Sequence, residues 1–200
     1  MTSILIEGID GTGKTSLAIA LAAKLNYTYL KHPSAWYYDN ETTSAYSNAH
    51  LHVADFYMNS DFISTNNVVI DRYLPSHMAY EILTPNGANA VDWYRVAQNV
   101  AIPDIVFYLD CSVQESCKRL ETRIKKDWQE TTMQLNIVRR NYLENVIPLL
   151  KIKGWKIYTI DAHQPIDVIV NKCIEFLYRH NESLQLPELP KGKSYYVARV

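Results

Sequence analysis

The 200 residues hold no apolar run of membrane-spanning length, only three cysteines and almost no net charge. Each lack narrows what the chain can be. A transmembrane helix needs about 20 consecutive apolar residues, and no window approaches that. The N-terminus, Met1 to Asp10, has neither the basic start nor the long apolar stretch of a signal peptide. Cys111, Cys117 and Cys173 are widely spaced, and the one short pair has five residues between its members. That spacing fits neither a CxxC site nor a disulfide framework, so a reducing cytoplasm is the expected compartment. A formal charge of -1, from 20 Lys+Arg against 21 Asp+Glu, excludes long-range attraction to a nucleic acid polymer or an anionic membrane. Any binding of phosphate must come from local placement of basic groups.

What is present suffices for one domain with its own core: 48% of the residues are hydrophobic. The 15 tyrosines and 4 tryptophans suit either aromatic-lined surfaces or boundary positions with a packed ring and a wet tip. Ile4 to Ile6 is a short apolar strand that runs into a glycine-rich turn and then a helix through Leu17, Ala20 and Lys24. Further strands are expected at Tyr27 to Lys31, Val68 to Ile70, Ile105 to Leu109 and Lys156 to Ile160. Helices are expected from Asp39 to Ser64, Ser76 to Leu83, Val91 to Ala101, Ser112 to about Arg123, on to Leu150, and from Pro165 to about Arg179. Ser112 with Glu115 reads as a capping box. Alternation of short apolar strands with helices predicts an α/β fold with a five-stranded, mostly parallel sheet covered by helices on both faces. Ligands then bind beyond the carboxyl ends of the strands, where the glycine turn, Asp71-Arg72, Asp110 and Asp161 all fall. The reading is one domain over 1–180, with a lid near 123–130 and a tail or arm over 181–200.

Gly8-Ile9-Asp10-Gly11-Thr12-Gly13-Lys14-Thr15 matches GxxxxGK[ST], the phosphate loop of P-loop NTPases, with a strand before it and a helix after it. The glycines let successive N–H groups turn inward, and the helix adds its own free N–H groups. Lys14 is placed to bridge the β- and γ-phosphates of ATP and Thr15 to ligate Mg2+. Asp71 sits where the magnesium-organising acid belongs, and Arg72 can pair a phosphate in a fork that lysine would not reproduce.

Other charged and aromatic groups are less specific. Arg119, Arg123, Lys125 and Lys126 form a basic cluster that either closes over the transferred group or is a solvated helix face. Arg139 and Arg140, one residue apart, cannot both face the site. His50 and His52 do not form a metal pair, and His163 and His180 have no ligand-spaced neighbours. Trp36, Tyr37 and Tyr38 are either an aromatic wall for a base or a loop anchor.

EGIDGTGKT (Glu7 to Thr15), VVIDRYLPSHMAY (Val68 to Tyr80), VRRNYLE (Val138 to Glu144) and IDA (Ile160 to Ala162) together resemble thymidylate kinases over almost the whole chain. The resemblance implies a cytoplasmic, homodimeric enzyme that moves the γ-phosphoryl of ATP onto dTMP or a related deoxynucleoside monophosphate. It implies that Asp10 lies near the sugar 3′-hydroxyl, that Arg72 grips the acceptor phosphate with Ser76 nearby, and that Tyr80 crowds the 2′ position. His77 stands where the base is read, Ala162 beside the adenine, and Arg123 in the lid; no arginine stands between Gly8 and Lys14. Three places depart from the family pattern. His52 and Phe56, still placed as substrate-binding by the resemblance, replace a base-stacking phenylalanine and an arginine, Lys31-His32-Pro33 lacks the usual arginine, and the lid is poorer in arginine.

Two other readings compete. A deoxynucleoside kinase needs a carboxylate base near the end of the second strand, where this chain has His32, with Asp39 and Glu41 farther off. A regulatory NTP-binding module would need a water-positioning element coupled to a partner surface.

Overall fold

The computed structural model describes residues 1–42, 44–83, 91–122 and 130–179. The basic segment with Arg123, Lys125 and Lys126, the turn from Thr84 to Gly87, His180 and the stretch 181–200 lie outside the described residues. Five strands, β1 (Ser3–Glu7), β2 (Thr28–Lys31), β3 (Val68–Asp71), β4 (Ile105–Asp110) and β5 (Ile157–Asp161), form one sheet in the order β2-β3-β1-β4-β5. Every pairing is parallel. The central strand β1 is buried at all positions, which its uninterrupted Ile4-Leu5-Ile6 run requires.

Side chains alternate across the sheet and divide the core in two. Ile4 and Ile6 join Leu17, Leu21, Val69, Phe107, Leu109 and Ile169 on one face, beneath α1 (Lys14–Leu25) and α9 (Ile166–Arg179). Leu5 joins Phe56, Ile70, Tyr73, Tyr108, Tyr142 and Leu150 on the other. Full burial of such a side chain stabilises the fold by about 2 kcal/mol relative to exposure, so the two faces together hold the strand ends in place. The register pairs Ile6 with Asp71 and Asp110 with Asp161, which brings the charged strand tips to one edge.

The helix expected from Asp39 to Ser64 is two, α2 (Ala35–Asn40) and α3 (Ala45–Thr65). The break is enforced by Ser44, extended at φ -89, whose hydroxyl accepts from Ser47 N and starts α3 afresh. Helix α4 (Leu74–Tyr80) begins two residues earlier than expected, with Pro75 in its first turn, and a single 3-10 turn, Glu81–Leu83, follows. The stretch near Val91 keeps only α5 (Trp93–Val96), started by the Asp92 side chain accepting from Arg95 N. Ser112 caps α6 (Val113–Glu121) by accepting from Glu115 N at 3.2 Å, but the reciprocal half of the box does not form, because Glu115 bonds Arg119 instead. The last long helical run comprises α7 (Thr132–Asn141), a π-helical turn over Tyr142–Val146 and α8 (Ile147–Ile152). Among the described residues, no helix is long and apolar enough to cross a membrane.

Candidate active site

The loop after β1 is built for backbone approach. Gly8 has φ +144, and a Cβ there would lie 2.5 Å from the Leu109 carbonyl oxygen. Gly11, at φ +83, would place one 2.5 Å from the carbonyl oxygen of Ser116. Only glycine lets β4 and α6 pack this tightly on the loop while its N–H groups stay turned inward. Gly13 enters α1 with φ +92. The Ile9 carbonyl gathers the loop, accepting from Thr12 Oγ1 at 2.9 Å and from Lys14 Nζ at 2.6 Å.

Lys14 is buried, with Nζ 4.0 Å from Asp10 Oδ1. Burial, reinforced by the nearby Arg72, pushes its ammonium down to about 8 from the ordinary 10.5, against the opposing pull of Asp10, Asp71 and Glu7. The sign of the linkage is a penalty. Below pH 8 the full cost of keeping the charge is present, and it is relieved as pH rises from 8 toward 10.5, where the unfolded chain still binds the proton. A polyanion at the loop reverses the shift. ATP affinity is therefore expected to fall by up to about tenfold per pH unit above pH 8. Calorimetric titration at several pH values checks this, and a flat profile through pH 9.5, about 1.5 units above that value, would contradict contact between the Lys14 ammonium and the phosphates.

At the tip of β3, Asp71 Oδ2 accepts from Thr15 Oγ1 at 2.7 Å and from Tyr29 OH at 3.0 Å. Asp71 Oδ1 is buried and has no hydrogen-bond partner in the described structure. Among the described residues no group of three or more His, Cys, Asp or Glu could hold a metal ion by itself. One carboxylate with an unused oxygen beside a threonine hydroxyl is nevertheless the donor set that suits Mg2+, which takes few protein ligands and completes its shell with phosphate and water.

Arg72 follows immediately, at φ +68, an uncommon backbone for a residue other than glycine and one that costs of order 1 kcal/mol or more. Its backbone N–H is held by the Ile6 carbonyl at 3.1 Å. Nη2 pairs with Asp10 Oδ1, and Nη1 donates to Ser76 Oγ at 3.1 Å. Tyr80 OH donates to Asp10 Oδ2 at 2.6 Å and accepts from Asp10 N at 3.1 Å, while its ring lies 5.4 Å from the guanidinium carbon. The structure thus brings together Asp10, Lys14, Arg72, Ser76 and Tyr80. Sequence reasoning missed Glu7, which ends β1 fully buried and accepts from Tyr73 N, Ser76 N, Ser76 Oγ and Tyr142 OH. Burial raises its carboxyl, and the bonds from Ser76, Tyr73 and Tyr142, with Arg72 nearby, work the other way. The only signal for it was a charge directly after the apolar Ile4-Leu5-Ile6 run of the central strand.

The opposite wall is aromatic. His52 stacks on Tyr37 with ring centres 4.0 Å apart and planes at 12°, and its other neighbour, His77, is at 3.9 Å. His77 also approaches Trp93 at 5.7 Å and Phe56 at 5.0 Å. Burial pushes His52 down to about 4, with Asp55 opposing and His32 adding to the effect. Burial, His52, His32 and Arg72 push His77 well below the usual histidine value. Both rings are therefore neutral near pH 7. One expected contact needs correction. Phe56 is 0% exposed, packed between His32, Tyr73 and His77, so it supports the wall from behind rather than facing a ligand. His52 carries Tyr37 stacked on one face of its ring. Tyr37 is buried in that stack and Tyr38 is exposed, so the aromatic triplet divides between wall and surface.

His32 is also 0% exposed, with Nδ1 2.9 Å from Asp55 Oδ2. Asp55 further accepts from Ser34 N at 2.9 Å and from the Ser34 hydroxyl. Burial alone would raise Asp55, but the bonds from His32 and Ser34 outweigh it and hold the carboxyl below its usual value. The pair pins the chain leaving β2 onto α3.

On the other side of the loop, Ala162 is fully buried and its carbonyl accepts from Arg119 Nη2 at 2.9 Å. His163 bridges two loops, bonding Asp161 Oδ1 and accepting from Ser112 N at 3.1 Å. Arg139 forks onto Asp110 at 2.8 and 2.9 Å, whereas Arg140 pairs with Glu144 on the exposed side, so only one of these arginines turns to the sheet edge.

Comparison with known proteins finds relatives over most of the chain. The model of the thymidylate kinase family matches residues 6–173. A probable thymidylate kinase of Picrophilus torridus is 31% identical over 198 residues, covering 91% of this chain and 93% of that protein. The thymidylate kinase of Leptospira interrogans serovar Lai is 29% identical over 203 residues, covering 90% and 95%. Among solved structures, the Candida albicans thymidylate kinase superposes with a TM-score of 0.67 at 20% identity, covering 92% of this chain and 97% of that one. The deoxyadenosine kinase of M. mycoides superposes with a TM-score of 0.68 at 19% identity, covering 90% and 100%. At such identities the two structures speak for the fold.

Proposed function

The chain belongs to the thymidylate kinase family and is an ATP-dependent nucleotide kinase, and from that premise we propose that its acceptor is the 5′-phosphate of dTMP or a related deoxynucleotide, gripped by Arg72. One observation carries the reading: Arg72 is held by Asp10 and Ser76 beside the buried Lys14, so two cations face the place where two phosphates must meet. An acceptor phosphate oxygen attacks the γ-phosphorus, the bond from that phosphorus to the β,γ-bridging oxygen breaks, and ADP leaves. Because the attacking oxygen already carries its negative charge, positioning and charge neutralisation are the main requirements. Lys14 neutralises the donor phosphates and Arg72 the acceptor. Asp10 with Tyr80 borders the sugar, where the tyrosine ring favours deoxyribose. His77, supported by Phe56 and flanked by His52, borders the base. Gly8, Gly11, Thr12, Gly13 and Thr15 line the triphosphate, and Ala162 lies beside the adenine. Thr15 and Asp71 would hold Mg2+, which supplies neutralisation of charge on the triphosphate when bound.

The nucleoside kinase reading finds no base directly after β2. The residue there is His32, which is buried and engaged by Asp55, rather than an accessible carboxylate. The lid role of Arg123 rests on the family resemblance alone. A cytoplasmic homodimer completes the proposal. The cysteines Cys111, Cys117 and Cys173 are all free, and Tyr57, Met58 and Phe62 lie exposed on α3 as a surface for a second copy.

The test is an acceptor panel at fixed ATP and magnesium, comparing deoxynucleosides, their 5′-monophosphates and the ribonucleotides. Turnover of dTMP or another deoxynucleoside monophosphate, with nucleosides inert and ribonucleotides poor, is expected. Turnover of nucleosides alone would overturn the acceptor assignment.

A further inference from the structure

We propose that Tyr142 and Glu7 are positioning residues for the acceptor phosphate, setting the Arg72 guanidinium through Ser76. The inference rests on the reading that Arg72 grips that phosphate. Glu7 is 1% exposed, Ser76 5% and Tyr142 0%, so Glu7 and Tyr142 act through their neighbours and not on a ligand.

The donors and acceptors leave little choice of arrangement. Glu7 Oε1 accepts from Tyr73 N at 2.8 Å and Ser76 N at 3.3 Å. Oε2 accepts from Ser76 Oγ at 2.6 Å and Tyr142 OH at 2.9 Å. The carboxylate is then saturated by four donors. The single proton of Ser76 is committed to Glu7, so Ser76 Oγ presents a lone pair to Arg72 Nη1 at 3.1 Å. Tyr142 OH lies 3.0 Å from Ser76 Oγ and shares Glu7 Oε2 with it, so the two hydroxyls are held side by side on one acceptor. The bond to Tyr73 N tethers the residue directly after Arg72, whose backbone is held at φ +68. One network therefore holds the backbone beyond Arg72 and one arm of its fork, while Asp10 holds the other arm.

Tyr142 comes from far away in sequence, 135 residues after Glu7. It opens the π-helical turn between α7 and α8, and such turns recur where a helix must redirect a side chain toward a site. Its ring packs against Tyr108 at 5.1 Å, so removing only the hydroxyl leaves the packing in place.

The experiment is steady-state kinetics of Tyr142→Phe, Arg72→Ala and the double variant, with dTMP and ATP varied separately and folding checked by circular dichroism melts. Tyr142→Phe should raise the KM for dTMP about tenfold and leave that for ATP within about twofold. In the Arg72→Ala background the same change should move neither constant beyond about twofold, because the network then has no guanidinium to set. Glu7→Gln, whose amide hydrogens oppose the Ser76 and Tyr142 hydroxyls, should repeat the acceptor-side loss. Equal rises in both KM values, or losses that add in the double variant, would overturn the inference while leaving the Arg72 assignment standing. An Arg72→Ala enzyme with unchanged dTMP kinetics would overturn both.

Discussion

Replacing Lys14 with methionine should lower phosphoryl transfer to every acceptor by about a thousandfold or more. The reason is geometric as well as electrostatic. Lys14 Nζ sits inside the loop against the Ile9 carbonyl and within 4.0 Å of Asp10, so its charge is delivered from a buried, pre-formed position. A charge placed in such a site needs little reorganisation when negative charge develops on the phosphoryl oxygens. Methionine keeps most of the stem and removes the charge, so the fold is retained and a melt should show it. The loss should appear in kcat for all acceptors alike. A variant that loses activity toward one acceptor only would show that Lys14 serves the acceptor and not ATP.

Arg72→Ala should separate the two substrates. Truncating one partner of a hydrogen-bonded charge pair in a partly buried site costs about 3 kcal/mol, which is roughly a hundredfold in acceptor kcat/KM. ATP binding, measured directly by calorimetry, should change little. Arg72→Lys should fall between the two, because it restores charge without the fork that spans Asp10 and Ser76. Unchanged acceptor kinetics in Arg72→Ala would remove Arg72 from the acceptor site.

Much of this site was legible in the chain because it is local. The glycine loop carries its own geometry, and short apolar runs ending in charge announce parallel strands whose tips share an edge. Ser76 and Tyr80, spaced four and eight residues after Arg72, follow it onto one helical face. What the chain hid depends on contacts between distant segments. Glu7 reads as the last residue of a strand, and its donors come from segments 66 to 135 residues away. The left-handed backbone at Arg72 has no signature, since nothing in Asp71-Arg72-Tyr73 calls for glycine-like freedom.

The aromatic wall shows the same limit from the other side. His52 and Phe56, four apart on α3, stand at places read as substrate-binding. The fold instead turns Phe56 into the core and lays Tyr37, from a separate helix, over His52. Pattern alone could not tell a ligand-facing ring from a buried one, because both satisfy the same helical spacing. The early break before Ala45 had the same origin: the helical character on either side was real, and a single capping serine decided where one helix ended and the next began.

The most direct test of the central assignment is phosphorus NMR of one reaction mixture holding enzyme, ATP, magnesium and dTMP, run beside a second in which thymidine replaces dTMP. The expected result is equal accumulation of ADP and the deoxynucleoside diphosphate in the first mixture and an unchanged spectrum in the second. Formation of dTMP from thymidine, or release of ADP and inorganic phosphate in both mixtures without a deoxynucleoside diphosphate, would contradict it.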